Sequence, residues 1–391
     1  MKIPITYTIR NLFTRKLTAV LTISGIALVV FVFSAVLMMA YGVEKTMVAT
    51  GYDDNVLFLR KGADNELISG IERDVANLIT TLPQIAIGAD SKPIYSPEVL
   101  TIINLQKFGT QDMGNVSVRG VSQHAFSMRP DVKITEGKTF TPGAREIIVG
   151  KNIAKQFQGA QVGHTIKFTG DEWTIVGVFD AKGTGFESEI WGEADQLMQA
   201  LNRPSAFSSL TVKLRDKNDF EALQKMLEVD NRLKTLKIER EKDYYERQSR
   251  FMAIFIRVLG LVITIGFSAG AVVGAMITMY AAVANRTVEI GTLRALGFRR
   301  RNILATFLLE SILLSVVGGT VGLVIASGLQ FFTISTVNFG TFSELAFSFA
   351  LSPDIIIGSF IFAITMGIIG GFLPSVRAAR LNIVNALRSS A

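Results

Sequence analysis

Four long apolar stretches constrain this chain more than any other feature of its sequence. They occupy residues 18–42, 251–284, 303–333 and 353–375. A helix of about 20 apolar residues crosses the hydrocarbon core of a bilayer, and each stretch is long enough. The last one, PDIIIGSFIFAITMGIIGGFLPS, contains a single ionisable residue, Asp354 at its edge. A buried core helix can imitate one such stretch, but four of them predict a membrane protein with four transmembrane helices.

The first apolar stretch is interpreted as an uncleaved transmembrane helix. It is longer than the apolar region of a signal peptide, and no small-x-small cleavage motif follows it closely. The four spans divide the remaining chain into five segments: an N-terminal amphipathic segment at 1–17, a large polar segment at 43–250, a basic segment at 285–302, a short loop at 334–352 and a tail at 376–391.

The distribution of Lys and Arg predicts the orientation of these segments. The segments 1–17, 285–302 and 376–391 are rich in Lys and Arg and contain one acid, Glu289, whereas 334–352 contains no Lys or Arg. Because basic loops stay in the cytoplasm, both termini and 285–302 are expected there, and 43–250 is expected outside the cell membrane. The net charge of +7 is therefore read as a topology signal, and nucleic acid is not expected as a partner.

The segment 43–250 is long enough to form its own core. Short β-rich runs, such as NVLFL at 55–59 and WTIVGVF at 173–179, alternate with helical patterns, such as those near 151–158 and 218–229. This mixture predicts an α+β domain of two small subdomains, in which 52–107 and 190–238 pair with each other around a Gly-rich middle. The predicted fold class is a membrane α-helical protein with four transmembrane helices (1+3) and a large extracytoplasmic α+β domain inserted between helices 1 and 2.

No catalytic, cofactor-binding or metal site is expected. His124 and His164 are the only histidines and there is no cysteine, whereas a zinc site needs three or four ligands. The pair Asp53–Asp54 is interpreted as a solvated turn. The sequence contains no G-x-x-x-x-G-K-[ST], G-x-S-x-G or H-E-x-x-H pattern, so the chain is not expected to bind a nucleotide through a P-loop.

The run that leads into the second span predicts a long helix. Between Pro204 and Gly260 there is no Pro or Gly, and charges alternate over 239–250. A continuous helix from about 238 to 284 would form a solvent-exposed stalk with i,i+4 pairs such as Lys242–Glu246. The alternative is a break near Ser249.

Gly266, Gly270 and Gly274 recur at four-residue spacing in the second span. Small residues at this spacing let two membrane helices approach closely, which predicts tight packing within the protomer or across a dimer. Gly318/Gly322 and Gly367/Gly371 repeat the pattern in the third and fourth spans.

The basic segment 285–302 predicts a short amphipathic helix at the cytoplasmic surface. Ile290, Leu293 and Leu296 form its apolar side, and Arg286, Glu289 and Arg294 line the rest. A lipid anchor would explain Arg299, Arg300 and Arg301, since basic residues bind anionic lipid. It would not explain Glu289, nor the glycines Gly291 and Gly297.

This segment resembles the coupling segment of the MacB/FtsX-type ABC permeases. That family shows an R-x-x-E-I-G-x-x-x-A-x-G pattern, followed by a span with an acid near its start and a Gly pair within it. The matching residues here are Arg286, Glu289, Ile290, Gly291, Ala295, Gly297, Glu310, Gly318 and Gly319. The tail GFLPSVRAARLNIVNALR and the run REIIVGKNIAKQF resemble the family's closing motif and its periplasmic core domain.

The resemblance implies a permease that lacks a fused nucleotide-binding domain and couples ATP hydrolysis on a separate ATPase subunit to movement of its outer domain. The residues implied in docking the ATPase are Arg286, Glu289, Ile290, Gly291, Leu293, Arg294, Leu296 and Gly297, with the apolar side filling a groove and Glu289 and Arg294 at its rim. Glu310 would be an intramembrane acid. Further implied partners are a second permease copy, an adaptor of the membrane-fusion type, an outer-membrane channel and membrane lipids.

Two other functions are compatible with the sequence. One is a non-transporting transmitter that activates cell-wall hydrolases outside the membrane. The other is a membrane-anchored receptor or scaffold without an ATPase partner. For an exporter, the sequence does not distinguish among drugs, peptides, lipoproteins, glycolipids and haem as the substrate.

Overall fold

The computed structural model describes residues 16–203 and 205–382, which form two compact units. The helical unit contains the described residues of 1–42, 254–332 and 349–391, and the sheet unit contains 43–253 and 333–348. Two long helices, at the start of the chain and after residue 240, run from one unit into the other.

Ten α-helices occur in the described residues. They are α1 (Lys16–Val48), α2 (Arg73–Ile79), α3 (Ala125–Met128), α4 (Lys151–Gln156), α5 (Ala194–Ala200), α6 (Asp219–Val229), α7 (Glu241–Ala284), α8 (Thr287–Ala295), α9 (Arg300–Ser327) and α10 (Pro353–Arg380). Short 3-10 turns lie at Glu66–Ile68, Gly185–Ser188 and Gly328–Phe331.

Fourteen strands occur in the same residues. They are β1 (Asn55–Arg60), β2 (Ile71–Glu72), β3 (Tyr95–Gln106), β4 (Met113–Val121), β5 (Lys133–Gly137), β6 (Glu146–Gly150), β7 (Thr165–Phe168), β8 (Asp171–Asp180), β9 (Glu189–Glu193), β10 (Ala206–Phe207), β11 (Ser209–Lys213), β12 (Leu236–Arg240), β13 (Thr333–Val337) and β14 (Glu344–Ser348).

Four helices are long and apolar enough to cross a membrane: α1, α7, α10, and α9 together with the 3-10 turn that follows it. They pack through small residues, because a missing side chain lets two helix backbones approach. A Cβ added at Gly318 or Gly322 would meet the backbone of α1. The repeated pairs Gly318/Gly322 and Gly367/Gly371 therefore lie at helix contacts, as their spacing predicts.

The segment after the third span differs from the expected short loop. The helix α9 ends at Ser327, and residues 333–348 form the antiparallel hairpin β13–β14, which belongs to the sheet unit. Asn115 Nδ2 donates to the Phe342 carbonyl at 2.8 Å, and the Ala346 amide donates to Ser188 Oγ at 2.9 Å. These partners are remote in sequence, so no local pattern reveals them.

The sheet unit contains one mixed ten-stranded sheet in the order β12-β1-β11-β3-β4-β9-β6-β8-β5, with β7 added to β8. β1 pairs with β11 and β12, so the predicted pairing between the first and last parts of the segment is confirmed. The expected pair of subdomains is corrected, since β3 and β4 join both halves into one sheet. The core of this unit includes Phe58, Phe157, Trp173 and Leu197.

The helix α7 is unbroken from Glu241 to Ala284, so the alternative break near Ser249 is wrong. Its first turns are not a solvent-exposed stalk, because Glu241, Tyr244 and Ser249 are buried within the sheet unit. The predicted Lys242–Glu246 pair is also wrong, since Lys242 pairs with Asp53 at 3.2 Å. Alternating charge identified a helix here but could not show which other elements cover it.

Candidate functional site

The short helix α8 has defined ends. Arg286 occupies its N-cap position and Leu296 its C-cap position. Gly297 follows with φ of +91°, in the left-handed region that glycine adopts without the steric cost of a side chain. The Phe298 amide then donates to the Leu293 carbonyl, which ends the helix in the manner of a glycine C-cap. The predicted helix between two spans is therefore present.

Arg286 and Glu310 form a buried ion pair beside α8. The distance between Arg286 Nη1 and Glu310 Oε2 is 2.9 Å, and both side chains are less than a tenth exposed. The Arg286 guanidinium also lies over the ring of Phe307 and contacts Glu289 at 3.4 Å. An ionisable side chain within an apolar span usually pairs with another polar or charged group. The presence of Glu310 in the third span could therefore have predicted a basic partner nearby. The sequence pattern instead placed Arg286 beside Glu289 and Arg294 on the polar side of the helix, among the residues implied in docking the ATPase.

The prediction that the side formed by Ile290, Leu293 and Leu296 fills a groove on a partner is wrong for Ile290, which is buried within the chain. Leu293 is half-buried, and its contact with a partner stays a prediction. Ile290 is 2% exposed and packs in a cluster with Met279, Val283, Ile303 and Phe307, and Leu293 packs against the same cluster. Leu296 is 67% exposed. The chain's own helices cover this side, since burying it there removes apolar surface from water.

A different side of α8 is left uncovered by the described residues. Val288, Glu289, Thr292, Ala295 and Leu296 are exposed, whereas Gly291 is buried and Arg294 is half-buried. The spacing of three and four residues puts the five exposed residues on one helix face. We call them the uncovered face of α8. It combines apolar and small side chains with one acid, and therefore suits an apolar groove that has a cation nearby.

The arginines at 299, 300 and 301 are all exposed. Their exposure is compatible with the predicted contact with lipid phosphates. The closing motif is only partly described, because Ala386, Leu387 and Arg388 lie outside the described residues. The N-terminal segment 1–17 is likewise described only from Lys16.

The three glycines predicted to pack a helix, Gly266, Gly270 and Gly274, contact no other helix of the described chain. A Cβ added at any of them would meet no described atom within 4 Å. In the same helix, a Cβ at Gly260 would overlap Val36 of α1. Packing within the protomer is therefore excluded for the triple among the described residues, and packing against a second copy stays a prediction.

The sheet unit holds a second group of charged side chains, the buried ionic cluster. Its members are Glu66, Glu98, Arg119, Arg129, Glu189 and Glu241. Arg129 donates from Nη1 to Glu98 at 2.7 Å and from Nη2 to Glu241 at 2.7 Å. Since Glu241 is the first residue of α7, the cluster fastens the start of that helix to strands β3 and β4.

The two arginines of this cluster determine the protonation of Glu98. Burial alone would raise the pKa of its carboxyl, but the charges of Arg129 and Arg119 outweigh burial and hold the pKa below its ordinary value. Burial alone would lower the pKa of the Arg129 guanidinium. The negative charges of Glu241, which has the larger effect, and of Glu98 outweigh burial and raise that pKa above its ordinary value. Glu98 and Arg129 therefore both carry their charges at neutral pH.

The described residues contain no group of three or more His, Asp or Glu that could hold a metal ion. His124 lies near the ring of Tyr95, and His164 is exposed. Asp53 and Asp54 lie at a turn and pair with lysines.

Comparison with protein families identifies both units. The MacB-like periplasmic core domain matches residues 19–229, and the FtsX-like permease C-terminal domain matches residues 250–383. Together the two matches cover nearly the whole chain.

Curated relatives agree with these matches. An uncharacterised ABC transporter permease of Bacillus subtilis (strain 168), YvrN, is 26% identical over 97% of both chains. The pyoverdine export ATP-binding/permease protein PvdT of Pseudomonas fluorescens (strain Pf0-1) is 26% identical over 97% of this chain and 58% of its own length. The macrolide export ATP-binding/permease protein MacB of Wolinella succinogenes is 27% identical over 97% of this chain and 60% of its own length. The chain thus spans about three fifths of the two ATP-binding/permease relatives.

Proposed function

Because the chain belongs to the FtsX-like ABC transporter permeases with a MacB-like periplasmic core domain, we propose that it is the transmembrane subunit of an exporter powered by a separate ATPase subunit. As a permease with four membrane-competent helices, it is a multi-pass membrane protein. The relatives PvdT and MacB are named for export of pyoverdine and of macrolides, which favours export over activation of a cell-wall hydrolase.

The observation that carries this proposal is the uncovered face of α8. The opposite side of this helix is packed against α7 and α9, and the Arg286–Glu310 pair holds its first turn. A helix fixed in this way presents Val288, Glu289 and Leu296 without further ordering, so little conformational entropy is lost when a partner binds. We propose that the ATPase binds this face in a groove, with a basic side chain of the ATPase near Glu289.

The proposed transmission of movement runs along α7. This helix has no break between Glu241 and Ala284, so a displacement at one end is carried to the other without a hinge. At its start, Glu241 accepts hydrogen bonds from Arg129 and from Asn55 Nδ2, the latter at 2.7 Å. Since Arg129 also binds Glu98 of β3, movement of α7 would pull on the central sheet and not only on the adjoining loop.

The remaining partners are part of the same proposal. The small-residue side of α7 at Gly266, Gly270 and Gly274 would face a second permease copy. An adaptor of the membrane-fusion type and an outer-membrane channel would act with the sheet unit outside the membrane, and Arg299, Arg300 and Arg301 would bind lipid phosphates. Both termini would be cytoplasmic.

Charge reversal on the uncovered face tests the docking proposal. We expect Glu289→Lys and Leu296→Glu to abolish co-purification of an ATP-hydrolysing subunit with tagged permease, because each puts an unpaired charge into a desolvated contact, at a cost of several kcal/mol. The measurement is ATPase activity per mole of purified permease. Arg300→Ala is the control and should keep nearly full activity, since an exposed arginine near lipid contributes about 1 kcal/mol. Wild-type activity with both face variants would refute the docking site.

A further inference from the structure

A groove lies between helix α6 and strand β12 of the sheet unit. Its volume is about 400 Å³, within the range of ligand and peptide pockets. Leu227 of α6 and Leu236 and Ile238 of β12 line it with apolar side chains. Lys61, Lys234 and Lys237 also line it, against one acid, Glu228. The groove therefore combines apolar walls with net positive charge.

Strand β12 is an edge of the sheet, since it pairs only with β1 among the described strands. The Lys61 amide donates to the Thr235 carbonyl at 2.7 Å, and the register pairs Lys237 with Leu59 and Ile238 with Phe58. In an antiparallel pair, backbone groups point alternately toward and away from the partner strand. Lys237 therefore bonds toward β1, and the amide and carbonyl of Ile238 point away from it, toward the free edge.

The two faces of this edge differ in chemistry. Successive side chains of a strand point to opposite faces, so Leu236 and Ile238 share the face with α6, and Lys237 lies on the other. Lys61, opposite Thr235 in the same register, shares the face of Lys237. An added strand would thus meet apolar side chains on one face and Lys61 and Lys237 on the other, with Lys234 in the turn that precedes β12.

The positive charge of the groove favours an acidic binding partner. Lys237 is already paired with Glu239 at 3.0 Å, but Lys61 and Lys234 are exposed and have no described acid within ion-pair distance. The surrounding segment 43–250 is acidic, with 27 Lys and Arg against 29 Asp and Glu, so the groove is a local basic site. The undescribed ends of the chain, 1–15 and 383–391, contain no acidic side chain and do not match it.

We propose that this groove binds an extended segment of another protein, with alternating acidic and apolar residues, as an additional strand on β12. Backbone hydrogen bonds to Ile238 would supply affinity, and the lysines would supply selectivity, as in other cases of strand addition. Lysines on an exposed edge also oppose pairing between identical chains. The inference does not depend on the proposed export function, because it rests on the sheet unit alone.

The test uses full-length chain in phosphatidylcholine nanodiscs and a fluorescently labelled peptide of alternating Val and Glu, with binding measured by anisotropy. We expect saturable binding that weakens with salt, and a loss of at least about tenfold in the double variant Lys61→Glu/Lys234→Glu, as the charges that attract the peptide are reversed. The matched control, Lys155→Glu/Lys167→Glu, makes the same charge change at exposed lysines elsewhere and should bind like the wild type.

A second probe separates strand addition from simple charge attraction. The same peptide, N-methylated on alternate amides along one edge, keeps its charges but cannot form the backbone ladder, so its affinity should also fall at least about tenfold. Equal binding of the methylated peptide, of a Val–Lys peptide, or by the Lys61→Glu/Lys234→Glu variant would overturn the proposal, as would no binding by the wild type. Self-association of the chain that the same double variant abolishes, without peptide binding, would assign the edge to a second copy instead.

Discussion

At the residue scale, the pair formed by Arg286 and Glu310 determines where α8 lies. Both side chains are buried and 2.9 Å apart, and Arg286 is the N-cap residue of α8. A buried ion pair adds little net stability over an apolar pair of similar size, but removal of one partner leaves an uncompensated buried charge. Removing either residue of the pair should therefore disturb the position of α8 more than the small net stability of the ion pair indicates.

This asymmetry predicts a specific mutational pattern. Arg286→Met or Glu310→Leu alone should destabilise the protein by about 3–5 kcal/mol, and the double variant should recover much of that loss. The measurement is thermal unfolding of purified protein, together with amide hydrogen exchange across 287–295, which should accelerate in the single variants. If the double variant loses the sum of the two single losses, the two side chains do not act as a pair.

At the element scale, the glycines of the long helices fall into two classes that the sequence does not distinguish. A Cβ at Gly322 would meet the backbone of α1, whereas a Cβ at Gly270 would meet nothing among the described residues. Both lie in apolar helices at four-residue spacing from another glycine. Only the packing of the four helices shows which of them is at a contact within the protomer.

The two classes predict opposite outcomes for the same substitution. Gly322→Leu should lower the yield and melting temperature of the monomer, because its side chain must displace a helix backbone. Gly270→Leu should leave both nearly unchanged, and should weaken only association between copies, measured by native mass spectrometry and cross-linking. If both changes destabilised the monomer equally, the assigned packing would be wrong. If Gly270→Leu left association between copies unchanged, Gly266, Gly270 and Gly274 would not lie at a dimer interface.

At the scale of the whole molecule, charge is separated between the segments. The parts outside 43–250 contain 13 Lys and Arg against 4 acids, whereas 43–250 is slightly acidic. Such asymmetry orients membrane proteins during insertion. The three basic segments should therefore share one side of the membrane, and residues 43–250 and the hairpin β13–β14 should share the other.

The absence of cysteine makes this orientation directly measurable. Single replacements Lys217→Cys and Thr292→Cys introduce the sole thiol at exposed positions. In intact spheroplasts, a membrane-impermeant maleimide should label Lys217→Cys and not Thr292→Cys, and both should be labelled after permeabilisation. The reverse pattern would invert the topology and place the uncovered face of α8 out of reach of a cytoplasmic ATPase.

The sequence alone determined the features that depend on local pattern. Length and hydropathy identified four membrane-competent helices, and β-rich runs identified several strands of the sheet unit. The runs 55–59 and 173–179 are strands as predicted, within β1 and β8, because β-rich composition is a property of the segment's own residues. The family resemblance, which the family matches confirm, rested on such local motifs.

Tertiary structure alone decided which side of each element is covered and by what. The periodicity of Ile290 and Leu293 identified an apolar side of α8 but not its neighbour, which proved to be the chain's own helices. Likewise the Arg286–Glu310 pair and the hairpin β13–β14 depend on partners distant in sequence. A periodic apolar pattern indicates that one surface of an element is buried. Which residues cover that surface depends on the packing of elements that are remote in sequence.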